Sequence, residues 1–189
     1  MRYFTAVLDA NVLFSPPVRD LLIRLAIRDL YQPLWTQIIQ GELRDAIIKR
    51  RPDIDQARLA RTISLMEKAM EDSLVEDFEP LMETLTLPDP DDRHVLAAAI
   101  KGKADLILTH NLKDFPASAL SAYHLEAIHP DTFIYRLIEL DNTSVLATMR
   151  IQRNALKHPP KTPEEYLVTL EKQGLTRTVG VVKQYLDLI

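Results

Sequence analysis

The chain has 189 residues, and its 23 basic and 27 acidic side chains give a formal net charge of −4. With 47% hydrophobic and 26% charged residues, the composition is that of a globular protein, which excludes a disordered or collagen-like chain. The absence of cysteine excludes disulfides, thiolate zinc sites and cysteine catalysis. The first apolar run meets an aspartate after eight residues, so we expect a cytoplasmic protein without a signal peptide or membrane span.

The first part of the chain alternates short apolar strands with amphipathic helices. Residues 3–8 predict a buried parallel strand, followed by a helix with Ser15 at its N-cap. A second strand is predicted over residues 31–35, followed by a helix capped by Thr36 that runs to about residue 49. Residues 53–71 predict a further amphipathic helix, whereas the next stretch matches neither pattern.

The middle of the chain contains a buried helix and two more strands. Residues 94–100 are apolar nearly all round, which predicts a helix covered on every side and ended by Gly102. Residues 104–109 and 123–128 have the composition of strands. Strands that alternate with helices predict an α/β fold with a mostly parallel sheet.

The last part of the chain lacks strand signals and is predicted to be helical. A proline-rich break at Pro159 and Pro160 precedes a new helix start, where Thr162 and Glu165 have the spacing of a capping box. We therefore expect one α/β domain over residues 1–140 and a helical appendage over residues 141–189.

Several acidic side chains follow predicted strands, where open parallel sheets build their sites. Asp9 directly follows the first strand, and Asp114, preceded by Asn111, follows the strand that ends at Thr109. Glu42 lies on the inward edge of the helix after the second strand. We expect these side chains to meet at one edge of the sheet.

Three aspartates, Asp89, Asp91 and Asp92, open the buried helix. Carboxylates packed together repel one another and raise one another's pKa, so folding alone does not favour the arrangement. A hard divalent cation removes the repulsion, and oxygen ligands without cysteine suit Mg²⁺ or Mn²⁺. Such a site can activate water and hold a phosphodiester.

Each acidic position also has a purely structural interpretation. Asp9 can be a turn residue, Glu42 can pair with Lys49 or Arg44 on its own helix, and Asp89 is a good N-cap. Capping requires only one of the three aspartates, and the shared edge of the sheet favours the metal site. The histidines show no zinc-binding spacing, and for His94 a hydrogen-bonded core imidazole is expected.

The successive motifs resemble those of PIN-domain ribonucleases over residues 1–135. The residues that carry the resemblance are LDANVL (8–13), Glu42, DPDDRHVLAAA (89–99) and LTHNLKDF (108–115). The tail, including HPP (158–160) and TPEE (162–165), resembles the C-terminal extension of some VapC-type toxins. The resemblance implies an α/β/α sandwich and Mg²⁺- or Mn²⁺-dependent endonuclease cleavage of RNA that leaves 5′-phosphate and 3′-hydroxyl ends.

The resemblance also implies roles for individual residues. Asp9, Glu42 and Asp92 correspond to metal-binding acids, and either Asp114 or Asn111 fills the fourth position. The supporting polar residues are Asn11, Thr109, Asp89 and Asp91. The candidates for RNA contact are Lys49, Arg50, Arg93 and Lys113. Family membership implies an antitoxin partner that inhibits the acidic site and a homodimer.

Two other functions stay open at this point. Many relatives carry an acid where this chain has Asn111, which keeps open an RNA- or protein-binding adaptor of weak or lost activity. A small-molecule phosphohydrolase could use Asp9 as its nucleophile, although the second aspartate that such enzymes place two residues later is Asn11 here.

Overall fold

The computed structural model of the protein describes residues 4–189. Its sheet has four strands: β1 (Thr5–Leu8), β2 (Gln32–Leu34), β3 (Leu106–Leu108) and β4 (Glu126–Ile128). All neighbouring strands pair in parallel, in the order β2-β1-β3-β4. The predicted parallel sheet is confirmed, with shorter strands than expected; Tyr3, in the first predicted strand, lies outside the described residues.

The helices surround this sheet as an α/β/α sandwich with further helices at the C-terminus. They are α1 (Ala10–Leu13), α2 (Pro16–Ile27), α3 (Gln37–Arg50), α4 (Gln56–Ala69), α5 (Glu79–Met82), α6 (Arg93–Lys101), α7 (Ala117–Leu120), α8 (Pro130–Ala155), α9 (Pro163–Glu171) and α10 (Thr176–Val182). Short 3-10 helices span Glu71–Ser73, Pro90–Asp92, Leu112–Asp114, Ser121–Tyr123 and Lys183–Leu188. Within residues 4–189, none of the helices combines the length and apolarity needed to cross a bilayer.

The two central strands lie in the interior because their side chains are apolar on both faces. In β1 the side chains of Ala6, Val7 and Leu8 are fully buried, and in β3 no side chain is more than 3% exposed. Helix α6 packs against both strands, and its run Val95–Ala99 is buried all round, as its sequence predicts. Gly102 follows α6 at the expected position. These contacts fix the carboxyl ends of β1 and β3 beside the start of α6.

Two helix starts differ in detail from the sequence-based predictions. Ser15 occupies the N-cap position of α2, but its hydroxyl donates a hydrogen bond to Gln173 Oε1 (2.8 Å) instead of capping the helix. Helix α4 begins at Gln56, later than expected, because the Asp55 carboxylate accepts hydrogen bonds from the backbone N–H groups of Ala57 and Arg58. Thr36 caps α3 as predicted, accepting from Ile39 N at 3.2 Å.

The C-terminal helices pack directly onto the α/β domain. Helix α8 starts behind β4 and lies against α2, and its Phe133 ring meets the Tyr31 ring edge-on with centroids 4.9 Å apart. Residue 140, the predicted domain boundary, lies inside α8 next to Asp141, whose φ and ψ of −150° and 74° interrupt the helix. The boundary stays a prediction. The capping box of Thr162 and Glu165 at the start of α9 is confirmed.

Candidate active site

The carboxyl ends of β1 and β3 hold the best-connected polar cluster of the α/β domain. Asp9 follows β1 and is 6% exposed, and its Oδ2 accepts hydrogen bonds from Asn11 Nδ2 (2.5 Å) and Thr109 Oγ1 (2.7 Å). Asn11 Nδ2 also lies 3.1 Å from Thr109 Oγ1, which in turn accepts from the backbone N–H of Asn111 at 2.9 Å. These bonds tie the two strand ends together and fix the orientation of the Asp9 carboxylate.

The environment of Asp9 opposes its ionisation. Burial raises the pKa of Asp9 most strongly, the hydrogen bonds from Thr109 and Asn11 lower it, and the negative charge of Glu42 raises it again. A cavity of about 350 Å³ opens over this carboxylate, lined by Asp9, Ala10, Asn11, Phe14, Glu42 and Ala46. Asp9 and Glu42, which are distant in sequence, therefore face the same space.

Asp92 lies on the opposite side of the cluster, immediately before α6. Partial burial together with the charges of Asp9, Asp89 and Asp114 raises the pKa of Asp92 to about 6. Because the carboxylates of Asp9, Asp89 and Asp114 all lie near enough to raise the pKa of Asp92, the four aspartates form one electrostatic group. Mutual repulsion within this group is the sign that its arrangement costs the fold free energy.

Glu42 is held by a partner that the sequence analysis assigned to the core. Its Oε1 lies 3.0 Å from Nε2 of His94, a buried side chain of α6, while Glu42 itself is half-exposed. The alternative interpretation, in which Glu42 pairs with Arg44 on its own helix, does not hold, since Arg44 instead contacts Asp45 (3.3 Å). His94 is indeed a hydrogen-bonded core imidazole, and its contact orients Glu42 at the edge of the cavity.

The donor set at this edge fits a hard divalent cation. It consists of oxygen atoms without thiolates, and a cation would relieve the repulsion that raises the pKa of Asp9 and Asp92. Within residues 4–189, no three histidine, aspartate or glutamate side chains are arranged closely enough to enclose an ion by themselves. Of these carboxylates, Asp9 and Glu42 line the same cavity, and Asp92 interacts electrostatically with Asp9.

The remaining predicted acidic and amide residues lie around this cleft with different roles. Asp89 Oδ1 accepts from the backbone N–H of Asp91 at 2.9 Å, so Asp89 caps the 3-10 helix that carries Asp92. Asp91 is exposed. Asn111 is also exposed, whereas Asp114 is half-buried and contributes to the raised pKa of Asp92. Asp114, and not Asn111, therefore brings negative charge to the cleft.

The predicted RNA-contacting side chains are spread over the surface near the cleft. Arg93 turns back to donate from Nε to the Pro90 carbonyl (2.8 Å), and Lys113 is exposed in the 3-10 helix after β3. Lys49 and Arg50 end α3 and are exposed. Arg50 lines a cavity of about 530 Å³ between α2, α3 and α4, which shares Phe14 with the cavity over Asp9.

A pair of histidines at the same edge was not predicted. His110 Nδ1 lies 2.8 Å from His129 Nε2, with the two rings edge to face and centroids 4.7 Å apart. The sequence offered one signal, since His129 directly follows β4 and His110 comes two residues after the end of β3, a strand of the same parallel sheet. Parallel neighbours bring such positions side by side.

The fold and this acidic edge define a PIN domain, and the chain belongs to the PIN-domain family, which it matches over residues 5–113. Residues 130–184 match the VapC50 C-terminal domain. Over 82 residues the chain is 42% identical to "Putative ribonuclease VapC50" of Mycobacterium tuberculosis, covering 43% of this chain and 48% of that protein. The match therefore spans about half the length of this relative, and the resemblance seen in the sequence motifs is confirmed.

Proposed function

We propose that the protein is a divalent-metal-dependent endoribonuclease that hydrolyses RNA phosphodiester bonds. The observation that carries the proposal is that buried Asp9 shares a cavity with Glu42 and also lies near enough to Asp92 for its charge to raise the pKa of Asp92. Membership of the PIN family and similarity to a protein named as a ribonuclease support it. Mg²⁺ or Mn²⁺ is the proposed cofactor because the ligand atoms are carboxylate oxygens.

The proposed metal ligands are Asp9, Glu42, Asp92 and Asp114. A divalent cation bound there would supply positive charge to the phosphate and lower the pKa of a water molecule for attack on phosphorus. The protein's part is to hold the acids in place: Asn11 and Thr109 fix Asp9, and His94 fixes Glu42. Exposed Lys113 and Arg50 would offset the negative charge of the cleft for an approaching RNA strand.

RNA cleavage by the purified full chain in Mg²⁺, in Mn²⁺ and in EDTA tests the proposal. We expect Asp9→Asn and Asp92→Asn each to lower kcat/KM by on the order of 100-fold or more, as for loss of a principal charge-stabilising group. Asp45→Asn is the matched control, since Asp45 is an exposed aspartate of α3 that faces away from the cavity. It should cut within about twofold of the parent.

Three results would contradict the proposal. Cutting by Asp9→Asn and Asp92→Asn at the parent's rate would exclude the nuclease site. RNA binding without cutting in any divalent metal would favour the adaptor, for which the exposed Asn111 is the supporting feature. Phosphate release from small phosphoesters, with RNA left intact, would favour the phosphohydrolase.

We further propose that the protein is a cytoplasmic toxin of a toxin–antitoxin pair and a homodimer, on the strength of its match to the VapC50 C-terminal domain and its partial similarity to VapC50. Expression of the parent in bacteria should then arrest growth, and Asp9→Asn should restore it. Unimpaired growth of cells that accumulate a parent protein active on RNA in vitro would contradict the toxin assignment. Sedimentation of the purified protein as a monomer would contradict the homodimer.

A further inference from the structure

The His110–His129 pair forms a directed chain of hydrogen bonds. His129 is the N-cap residue of α8, and its Nδ1 accepts from the backbone N–H of Asp131 at 3.1 Å. A ring nitrogen that accepts carries no proton, so the proton of His129 is on Nε2. That Nε2–H must donate to His110 Nδ1, 2.8 Å away. The tautomers of both rings follow from this network of hydrogen bonds.

The chain of hydrogen bonds ends in a free donor. Because Nδ1 of His110 accepts, its proton is on Nε2. In the part of the chain that the structure describes, no group accepts a hydrogen bond from this Nε2–H, and His110 is exposed. The protein thus fixes one ring orientation and presents a single N–H donor to solvent, which a histidine without function does not require.

The position of this donor relates it to the acidic cleft. The backbone N–H of His110 donates to Asn11 Oδ1 (3.1 Å), and Asn11 holds Asp9. The ring, however, leans towards β4, because its partner follows that strand. Adjacent strands are about 4.8 Å apart, so His110, after β3, is offset from Asp9, after β1, by about one strand spacing along the edge of the sheet. This is of the order of one nucleotide step along an extended RNA strand.

The C-terminal helices hold the pair in place. Asp131, two residues after His129, is buried, and its carboxylate accepts from the backbone N–H groups of Arg177 and Thr178, each at 2.8 Å. Asp131 therefore caps the N-terminus of α10, and the start of α8 is fixed to the appendage. Gly174 of the same appendage lies next to the His129 ring, since a Cβ added at Gly174 would be in van der Waals contact with His129 Cε1, at 3.7 Å.

We infer that His110 Nε2–H binds the RNA phosphate next to the one that is cleaved, with His129 as the residue that positions it. The inference rests on the proposed ribonuclease function and adds a subsite to it. Protein contacts to RNA strands are made largely to phosphate oxygens, and a neutral N–H donor suits a phosphate close to carboxylates. The inference gives the C-terminal helices a task at the site, since they fix the start of α8.

Binding of a short fluorescent single-stranded RNA to the full chain in EDTA tests the subsite without any cleavage. We expect His110→Ala to weaken binding about threefold to tenfold, as for one lost hydrogen bond. His129→Asn should have a similar effect, because asparagine retains the helix cap but not the imidazole that orients His110. The matched control is His124→Asn, at an exposed histidine with φ of 56° that asparagine tolerates.

A second arm locates the contact. The cleavage site is first mapped on an RNA that the protein cleaves. Intact copies of this RNA are then made, each with one neutral methylphosphonate linkage at a different position around that site. In the parent and the His124→Asn control, one neighbouring linkage should weaken binding about threefold to tenfold; in His110→Ala the same linkage should have no effect. Cleavage by His110→Ala should show a raised KM with kcat within about twofold.

Three results would overturn the inference. One is equal RNA affinity of His110→Ala and the parent; another is an unchanged penalty of the neutral linkage in His110→Ala. A loss of affinity for a co-expressed protein partner, with RNA affinity intact, would reassign the donor to a protein contact and also overturn it. The first arm measures binding only, so its failure is distinguishable from a failure of the nuclease proposal, which the cleavage rate of Asp9→Asn decides.

Discussion

Two buried aspartates, Asp9 and Asp131, use their carboxylate oxygens in different ways. Asp9 is 6% exposed and Asp131 is 8% exposed, so burial does not separate them. Both carboxylate oxygens of Asp131 accept hydrogen bonds from backbone N–H groups at the start of α10. Asp9 receives both of its side-chain hydrogen bonds on Oδ2 and shares a cavity with the carboxylate of Glu42.

The difference distinguishes a structural carboxylate, Asp131, from the carboxylate of Asp9, for which we propose metal binding. The charge of Asp131 is matched by the N-terminus of a helix, which favours an anion. The charge of Asp9 is matched by nothing comparable, and its pKa is raised by burial and by Glu42. A carboxylate that the fold holds in place without neutralising its charge is suited to the proposed binding of a cation.

The largest expected effect on folding comes from the structural carboxylate. Asp131→Ala should lower the free energy of unfolding by about 2–3 kcal/mol, because it leaves two backbone N–H groups of α10 without their acceptor. Urea denaturation measures the change, with Asp187→Ala, an exposed aspartate near the C-terminus, as the control. Equal stability of Asp131→Ala and the parent would remove the distinction between the two aspartates.

Added Mn²⁺ should stabilise the protein through the carboxylate of Asp9 alone. A ligand at ten times its Kd raises the free energy of unfolding by about 1.4 kcal/mol. We expect the melting temperature of the parent to rise with Mn²⁺, that of the destabilised Asp131→Ala variant to rise equally, and that of Asp9→Asn to stay nearly unchanged. A full metal response in Asp9→Asn would place the cation elsewhere.

The pH dependence of stability should reveal the acidic cleft without metal. The pKa of Asp92 is raised in the folded protein to about 6 from an ordinary 3.8, so the folded state binds this proton more tightly than the unfolded state. Its contribution is therefore fully present below pH 4 and is lost as the pH rises towards about 6. Asp92→Asn, which cannot titrate, should flatten the stability curve over this window in EDTA.

Asp131→Asn serves as the control for the pH experiment, because it should retain the slope that Asp92 causes. Urea denaturation at pH 4, 5, 6 and 7 measures all three proteins. Parallel curves for the parent and Asp92→Asn would mean that Asp92 is not held against its charge.

The smallest expected effect is that of Asp9→Asn on the metal-free fold. Asparagine keeps one oxygen for Thr109 and removes a charge that burial disfavours, so the free energy of unfolding in EDTA should change by less than about 1 kcal/mol, in the stabilising direction. Thermal denaturation measures it. A strong loss of stability would assign Asp9 to the framework of the fold, as for Asp131.

Much of the fold is predictable because its signals are local. The apolar run of α6, the cap at Thr36 and the box of Thr162 and Glu165 depend on neighbours within one helical turn, and the structure confirms all three. Ser15 occupies the predicted N-cap position but makes no capping hydrogen bond, because its partner, Gln173, comes from the far end of the chain. No pattern around residue 15 contains that contact.

The candidate site was predictable to the extent that strand ends define it. Asp9, Asn11 and Thr109 follow strands β1 and β3, and adjacent parallel strands bring them together. The partner of Glu42 was missed, because the sequence analysis compared it only with residues of its own helix, whereas His94 reaches it from α6. The histidine pair and the cap by Asp131 also join distant segments, which a single sequence does not reveal.

The aromatic contact at the start of α8 joins the two matched regions of the chain. Phe133 lies against Tyr31 and Phe4, at ring distances of 4.9 and 6.1 Å, and all of its surface is hidden. A gene fragment that stopped before residue 130 would encode a chain with this apolar surface uncovered, prone to self-association. The α/β domain therefore depends on the C-terminal helices to cover part of its apolar core, and a cut at residue 130 would destabilise both regions.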